Sequence, residues 1–147
     1  KTCFADANTQ IATLVKPFRS DDDFESTLFN PNSPKVVLNK NNEAMYFSRS
    51  IIPYIRGKKY TEWLPSHTFY KHIGLYAYRA QVLKEITQLP QSALELAESL
   101  EQLRWLENGY NQGRHHRARN DRYRYTGGHG ESLSLPREPL ITYTIIQ

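Results

Sequence analysis

From Lys71 to Tyr78 the chain reads KHIGLYAY. In an extended strand this alternation sets His72, Gly74, Tyr76 and Tyr78 on one side and Ile73, Leu75 and Ala77 on the other. An imidazole and two phenols in a row can order hydroxyl groups by donating and accepting hydrogen bonds. With one side committed to the core, the other can form a site. Farther on, Glu101 and Gln102 lie beside an apolar helical stripe, close enough for that helix edge to enter a pocket. Asp21, Asp22 and Asp23 have the charge to hold a cation, but adjacent carboxylates ordinarily serve a helix N-terminus, and they are read that way. His115, His116 and His129 match no metal-ligand spacing and sit among arginines that oppose a cation, so no metal ligand is assigned to them. Cys3 is the single cysteine, so it has no internal disulfide partner, and a reducing cytoplasm is the expected setting.

The elements that must position these groups follow from pattern. Ile11 to Phe18 (IATLVKPF) is an apolar, β-branched run suited to a strand that stops at Pro17. Lys35 to Asn39 and Ala44 to Ser48 flank the turn-forming Lys40, Asn41 and Asn42, which predicts a hairpin. A polar loop is expected from Lys58 to Thr68, leading into the strand from Lys71 to Tyr78. Val82, Leu83 and Ile86 recur at helical spacing over Ala80 to Gln88, ahead of Pro90. Ser92 with Glu95 forms a capping box for a further helix, whose stripe is Leu96, Leu100, Leu103 and Leu106 and whose C-terminal cap is Gly109.

The chain has 147 residues, 39% hydrophobic and 23% charged, with mean hydropathy −0.67. That fits one folding unit, and no run approaches the roughly 20 apolar residues of a spanning helix. The chain opens at Lys1 without a secretion leader and is read as a piece of something longer. Residues 1–110 hold thirteen Lys or Arg against twelve acids, whereas residues 111–147 hold six Arg against three acids. The basic excess therefore lies in the tail.

The words YFSRS (46–50), IPY (52–54), HIGLYAYR (72–79) and ELAESLEQLRWLENG (95–109), led by FNP…KVV at 29–37, resemble the distal half of the 3-deoxy-manno-octulosonate cytidylyltransferase (CMP-Kdo synthetase) family. The likeness runs in order over residues 10–110. It implies an α/β fold, the distal half of a Rossmann-like nucleotidyltransferase with a mixed sheet and flanking helices. It also implies transfer of CMP from CTP to an eight-carbon acidic sugar with release of pyrophosphate, Mg²⁺ as cofactor, a homodimer, no membrane, and a role in lipopolysaccharide synthesis. Carried over position by position, it makes Arg49, His72, Tyr76, Glu101 and Gln102 the sugar-binding set. An arginine fork suits the sugar carboxylate, and the other four suit its hydroxyls. The expected cradle is the exposed side of a strand and the rim of a neighbouring helix.

Two departures accompany the match. The family's nucleotide-binding strand and loop, and its QGDEP word with a metal-binding Asp, are absent, which implies that most of the CTP site and the Mg²⁺ ligands lie outside this chain. After ENGY the family continues with a strand and a word like GIDTPEDLEKA, whereas this chain reads NQGRHHRARNDRYRYTGGHGESL. Read one base later, the codons of Asp121 to Glu131 permit IGIDTPEDME, and those of Asn111 to His116 permit IKVGI. This implies a one-base frame slip at about Asn111, so that residues 1–110 are a distal cytidylyltransferase part and 111–147 an out-of-frame tail. Little native packing is expected from Gly113 to Gly130, Ile141 to Ile146 is β-prone enough to pair adventitiously, and the sheet is expected to lose its last strand. Such a fragment is expected to be inactive alone. The alternative is a small basic nucleic-acid-binding module using Arg114, Arg117, Arg119, Arg122 and Arg124 with Tyr123 and Tyr125, disfavoured because the body has no recognition motif.

Overall fold

The computed structural model describes Phe4, residues 8–19 and 27–110, and the backbone of His116–Arg117 and Tyr143–Ile145. Asp21 to Asp23 and most of the tail, with its arginines, tyrosines and histidines, lie outside the described residues. The elements are β1 (Ile11–Pro17), β2 (Lys35–Leu38), β3 (Ala44–Ser48), a 3₁₀ turn (Tyr60–Glu62), α1 (Trp63–Ser66), β4 (Tyr70–Tyr78), α2 (Ala80–Ile86), α3 (Ala93–Glu98), α4 (Gln102–Glu107), β5 (His116–Arg117) and β6 (Tyr143–Ile145).

The sheet runs β3-β2-β4-β1-β5, with β6 also on β4. The pairs β1–β4, β2–β4, β2–β3 and β4–β6 are antiparallel, and β1–β5 is parallel. The expected hairpin is present. Its turn is held by Asn39, whose side-chain oxygen accepts from the backbone N–H groups of Asn41 and Glu43 at 2.9 Å each, while Asn42 adopts φ 62°, a conformation asparagine tolerates. Strand β1 ends at Pro17, as the missing N–H requires.

Three expectations are corrected. The stretch from Lys58 to Thr68 is not a plain loop: it winds through the 3₁₀ turn and α1 because Trp63, 2% exposed, must reach a cluster with Phe18, Leu28 and Phe69. The helix expected from Ser92 to Gly109 is two helices. The capping box of Ser92 and Glu95 starts α3, but Ser99 turns left-handed at φ 50° and separates it from α4. Leu96 consequently points to solvent, and the buried positions are Glu95, Leu100, Gln102, Leu103 and Trp105. Gly109, at φ 80°, follows α4 as its expected C-terminal cap.

The third correction concerns the sheet edge. The edge of β1 is occupied by β5, with Leu14 opposite His116 and Val15 opposite Arg117, so a short last strand is present. An edge offers unpaired N–H and C=O groups to any extended backbone, and two residues need no particular side chains to pair. The β-prone run in the tail also pairs: Tyr143, Thr144 and Ile145 lie opposite Ala77, Tyr76 and Leu75.

Two apolar clusters join α4 to the sheet. One gathers Ile11, Tyr76, Tyr78, Val82, Ile86 and Trp105, and the other Val15, Val36, Phe47, Leu100 and Leu103. Among the described residues no helix is long and apolar enough to cross a membrane.

Candidate functional site

Strand β4 alternates as expected, but the side bearing His72, Tyr76 and Tyr78 is the buried one, at 6%, 7% and 6% exposure. The exposed side of the strand is therefore not where the candidate residues sit. Two tyrosine rings against Trp105, with His72 beside them, remove more apolar surface from water than Ile73, Leu75 and Ala77 offer, so the ring-bearing side takes the helix. Trp105 meets Tyr76 and Tyr78 edge-on, at centroid distances of 5.1 and 5.5 Å. His72 is bracketed by Phe47 at 4.9 Å and Tyr76 at 5.2 Å. Gly74, between His72 and Tyr76, is exposed, and a Cβ built on it meets nothing within 4 Å.

The β1–β4 ladder is irregular at this point. Thr13 lies opposite Tyr76 and Leu14 opposite Ile73, so Gly74 and Leu75 bulge from β4. Thr13 Oγ1 reaches into the bulge, donating to the Leu75 carbonyl at 2.8 Å and lying 3.0 Å from His72 Nε2. The His72 backbone N–H donates to the Pro34 carbonyl at 2.8 Å, tying β4 to the lead-in of β2.

Arg49 follows β3 and caps the break between α3 and α4. Its Nε donates to the Glu98 carbonyl at 2.6 Å, Nη2 to the Ser99 carbonyl at 3.1 Å and Nη1 to the Pro31 carbonyl at 3.0 Å. In an unbroken helix the first two carbonyls would be spent on the following turn, so the left-handed Ser99 releases them and Arg49 takes them up. Among the described residues, one N–H on each Nη nitrogen is left unengaged. Glu98 returns the contact, accepting from Ser48 Oγ at 2.6 Å and from the Arg49 backbone N–H at 2.9 Å. Beneath them Lys35, fully buried, donates from Nζ to the carbonyls of Asn30 at 2.8 Å and Arg49 at 3.0 Å. Burial, aided by the like charge of Lys71, lowers its pKa to about 8.

Glu101 and Gln102 open α4 immediately after this clamp. Gln102 is buried and Glu101 exposed. Burial first, then the nearby Tyr78 and the charge of Glu101, push the Tyr76 phenol well above its usual pKa, so it stays a donor at neutral pH. Among the described residues the Tyr76 hydroxyl, though buried, meets no hydrogen-bond partner. The five candidates thus belong to one neighbourhood: Arg49 on the α3–α4 break, Glu101 and Gln102 just past it, and Tyr76 and His72 on the strand face beneath. Thr13, Ser48, Lys35 and Glu98 support them and were not singled out from sequence. A separate cavity of about 210 Å³, lined by residues including Val36, Ile52, Pro53, His67 and Tyr70, contains none of the five.

Among the described residues no three of His, Cys, Asp and Glu gather as a metal would require. The described residues therefore do not fit the Mg²⁺ that the family resemblance implies.

The mixed sheet with helices against its ring-bearing side accompanies a match to the cytidylyltransferase family model over residues 2–117, and the chain belongs to that family. Among curated relatives, the 3-deoxy-manno-octulosonate cytidylyltransferase of Parabacteroides distasonis is 99% identical over 110 residues, 75% of this chain and 44% of that protein. The protein of the same name from Bacteroides thetaiotaomicron is 72% identical over the same shares. A solved CMP:2-keto-3-deoxy-manno-octonic acid synthetase complexed with CTP has a TM-score of 0.61 and 39% identity, covering 74% of this chain and 41% of that one. The chain spans less than half the length of these relatives.

Proposed function

We propose that this chain forms the sugar side of a cytoplasmic enzyme that activates 3-deoxy-manno-octulosonate with CTP, giving the CMP-sugar and pyrophosphate for lipopolysaccharide synthesis. The observation that carries the reading is the buried Tyr76 hydroxyl, which meets no partner among the described residues, because a desolvated donor is costly unless a ligand supplies an acceptor. The two remaining Arg49 donors suit the sugar carboxylate, since a guanidinium pairs with a carboxylate as a fork. Glu101 accepts from sugar hydroxyls, the Gln102 amide can both donate and accept, and His72 orders a further hydroxyl. Held this way, the sugar's anomeric hydroxyl is fixed for attack on the α-phosphorus of CTP, and orientation is the part of catalysis these residues supply.

The CTP side, with the Mg²⁺ that offsets phosphoryl charge, is assigned to the length of the relatives that this chain does not span. The chain alone therefore turns over little, and a homodimer is the expected assembly of the whole enzyme. The test uses the full-length Parabacteroides relative. Replacing the tyrosine that matches Tyr76 with Phe raises KM for the sugar by roughly tenfold and leaves KM for CTP in place. An unchanged sugar KM with a raised CTP KM would overturn the assignment.

A further inference from the structure

We propose that Thr13 is a positioning residue that holds His72 in the tautomer protonated at Nε2. Thr13 and His72 are 2% and 6% exposed, so bulk water competes little for the hydrogen bond between them. The Thr13 hydroxyl has one proton. Its oxygen lies 2.8 Å from the Leu75 carbonyl oxygen, 3.3 Å from that of Ile73 and 3.0 Å from His72 Nε2. Two oxygens at 2.8 Å with no proton between them would set lone pair against lone pair, so the Thr13 proton lies on the Leu75 axis. The short contact to His72 then requires the proton there to come from the imidazole, and Thr13 accepts it.

The opposite assignment spends the Thr13 proton on a bare Nε2 and leaves the bulge carbonyl facing an oxygen. It makes one hydrogen bond where the first makes two. A neutral imidazole that donates at Nε2 carries its lone pair at Nδ1, so a group meeting Nδ1 must come as a donor.

The functional consequence rests on the sugar reading above: a sugar hydroxyl that meets His72 at Nδ1 comes as a donor, not as an acceptor. The tautomer itself does not depend on that reading. The bulge explains why a threonine on β1 can reach this ring, because Gly74 and Leu75 swing the carbonyl of Leu75 into line with Thr13.

The test is a long-range ¹H–¹⁵N spectrum of the imidazoles in the ¹⁵N-labelled 147-residue chain at about pH 8, above the ordinary histidine range. The His72 signals are identified by their loss in H72Q. Wild type and T13S are expected to show the proton on Nε2. In T13V that proton exchanges with water faster by roughly tenfold, or the ring takes the other tautomer. A wild-type ring protonated at Nδ1 would overturn the proposal, as would a T13V chain with unchanged tautomer, shift and exchange rate. Should T13V not fold, wild type and T13S decide, since Nδ1–H in either is fatal. A failure of sugar binding would leave the tautomer result standing, and a wrong tautomer would leave the sugar reading standing.

Discussion

Two regions meet at the candidate site, and they are held by different physics. On one side Tyr76, Tyr78 and Trp105 pack ring to ring with Ile11, Val82 and Ile86, an apolar wall that excludes water. On the other, Arg49, Glu98, Ser48 and Lys35 form a polar clamp in which charged groups reach the carbonyls of Asn30, Pro31, Glu98, Arg49 and Ser99. The wall supplies stability by area and is indifferent to small displacements. The clamp adds little net energy but fixes where the Arg49 fork and the start of α4 stand, because hydrogen bonds are directional.

The comparison is sharpest where the wall is cut. Trp105→Ala removes the ring that both tyrosines contact, and a loss of about 3–5 kcal/mol is expected in urea unfolding followed by far-UV circular dichroism. A loss below about 1 kcal/mol would show that the wall is not the main support.

Next is the ion pair that keeps α3 against α4. Arg104 Nε donates to Glu95 Oε2 at 2.7 Å, and its Nη2 meets Oε1 of the same carboxylate. Glu95→Ala is expected to cost roughly 2–3 kcal/mol, since it leaves a largely buried guanidinium unpaired. The hydrogen bond from Arg104 first, then that from Ser92, hold the Glu95 carboxyl below its usual pKa against the opposing effect of burial. The stabilisation is therefore complete above the unfolded carboxyl pKa of about 4.3 and is lost as pH falls through the lower folded value. Wild type should lose its advantage over Glu95→Gln in that window, and a constant difference between the two down to low pH would contradict the pairing.

The clamp itself should be thermodynamically weaker. Glu98→Ala is expected to cost about 1–2 kcal/mol through the lost bonds to Ser48 and the Arg49 N–H. If it costs more than Trp105→Ala, the division between wall and clamp fails. Lys35 differs in kind, because its lowered pKa means that the folded state gives up this proton sooner than the unfolded chain. Between its folded value of about 8 and the ordinary lysine value of 10.5, the unfolded state binds more protons, so stability from this group rises with pH. Unfolding of wild type and Lys35→Met across that range reads the difference, and a wild-type advantage that shrinks with pH would contradict it.

The wall was largely legible in the sequence and the clamp was not. Alternation over residues 71–78 placed His72, Tyr76 and Tyr78 together, and the capping box of Ser92 and Glu95 located the start of α3. The pattern did not say which side of β4 would be buried, since either side could take a helix. The break at Ser99 was hidden because serine carries no signal for a left-handed turn, and the Leu96 to Leu106 stripe reads as continuous. Lys35 looked like a solvated strand residue, since its acceptors are backbone carbonyls that any sequence would supply. Thr13 reaches His72 only through a bulge in β4, which depends on strand register rather than on residue type. The five candidate residues were singled out by family words, and the structure adds where each of them stands.

The most direct test of the central claim, that this chain carries the sugar side, is calorimetric titration of the 147-residue chain with 3-deoxy-manno-octulosonate in the absence of CTP. Saturable binding that weakens by roughly tenfold or more in Arg49→Ala and in Tyr76→Phe is the predicted result. Binding of equal strength to wild type and both variants, or binding of CTP but not of the sugar, would contradict it.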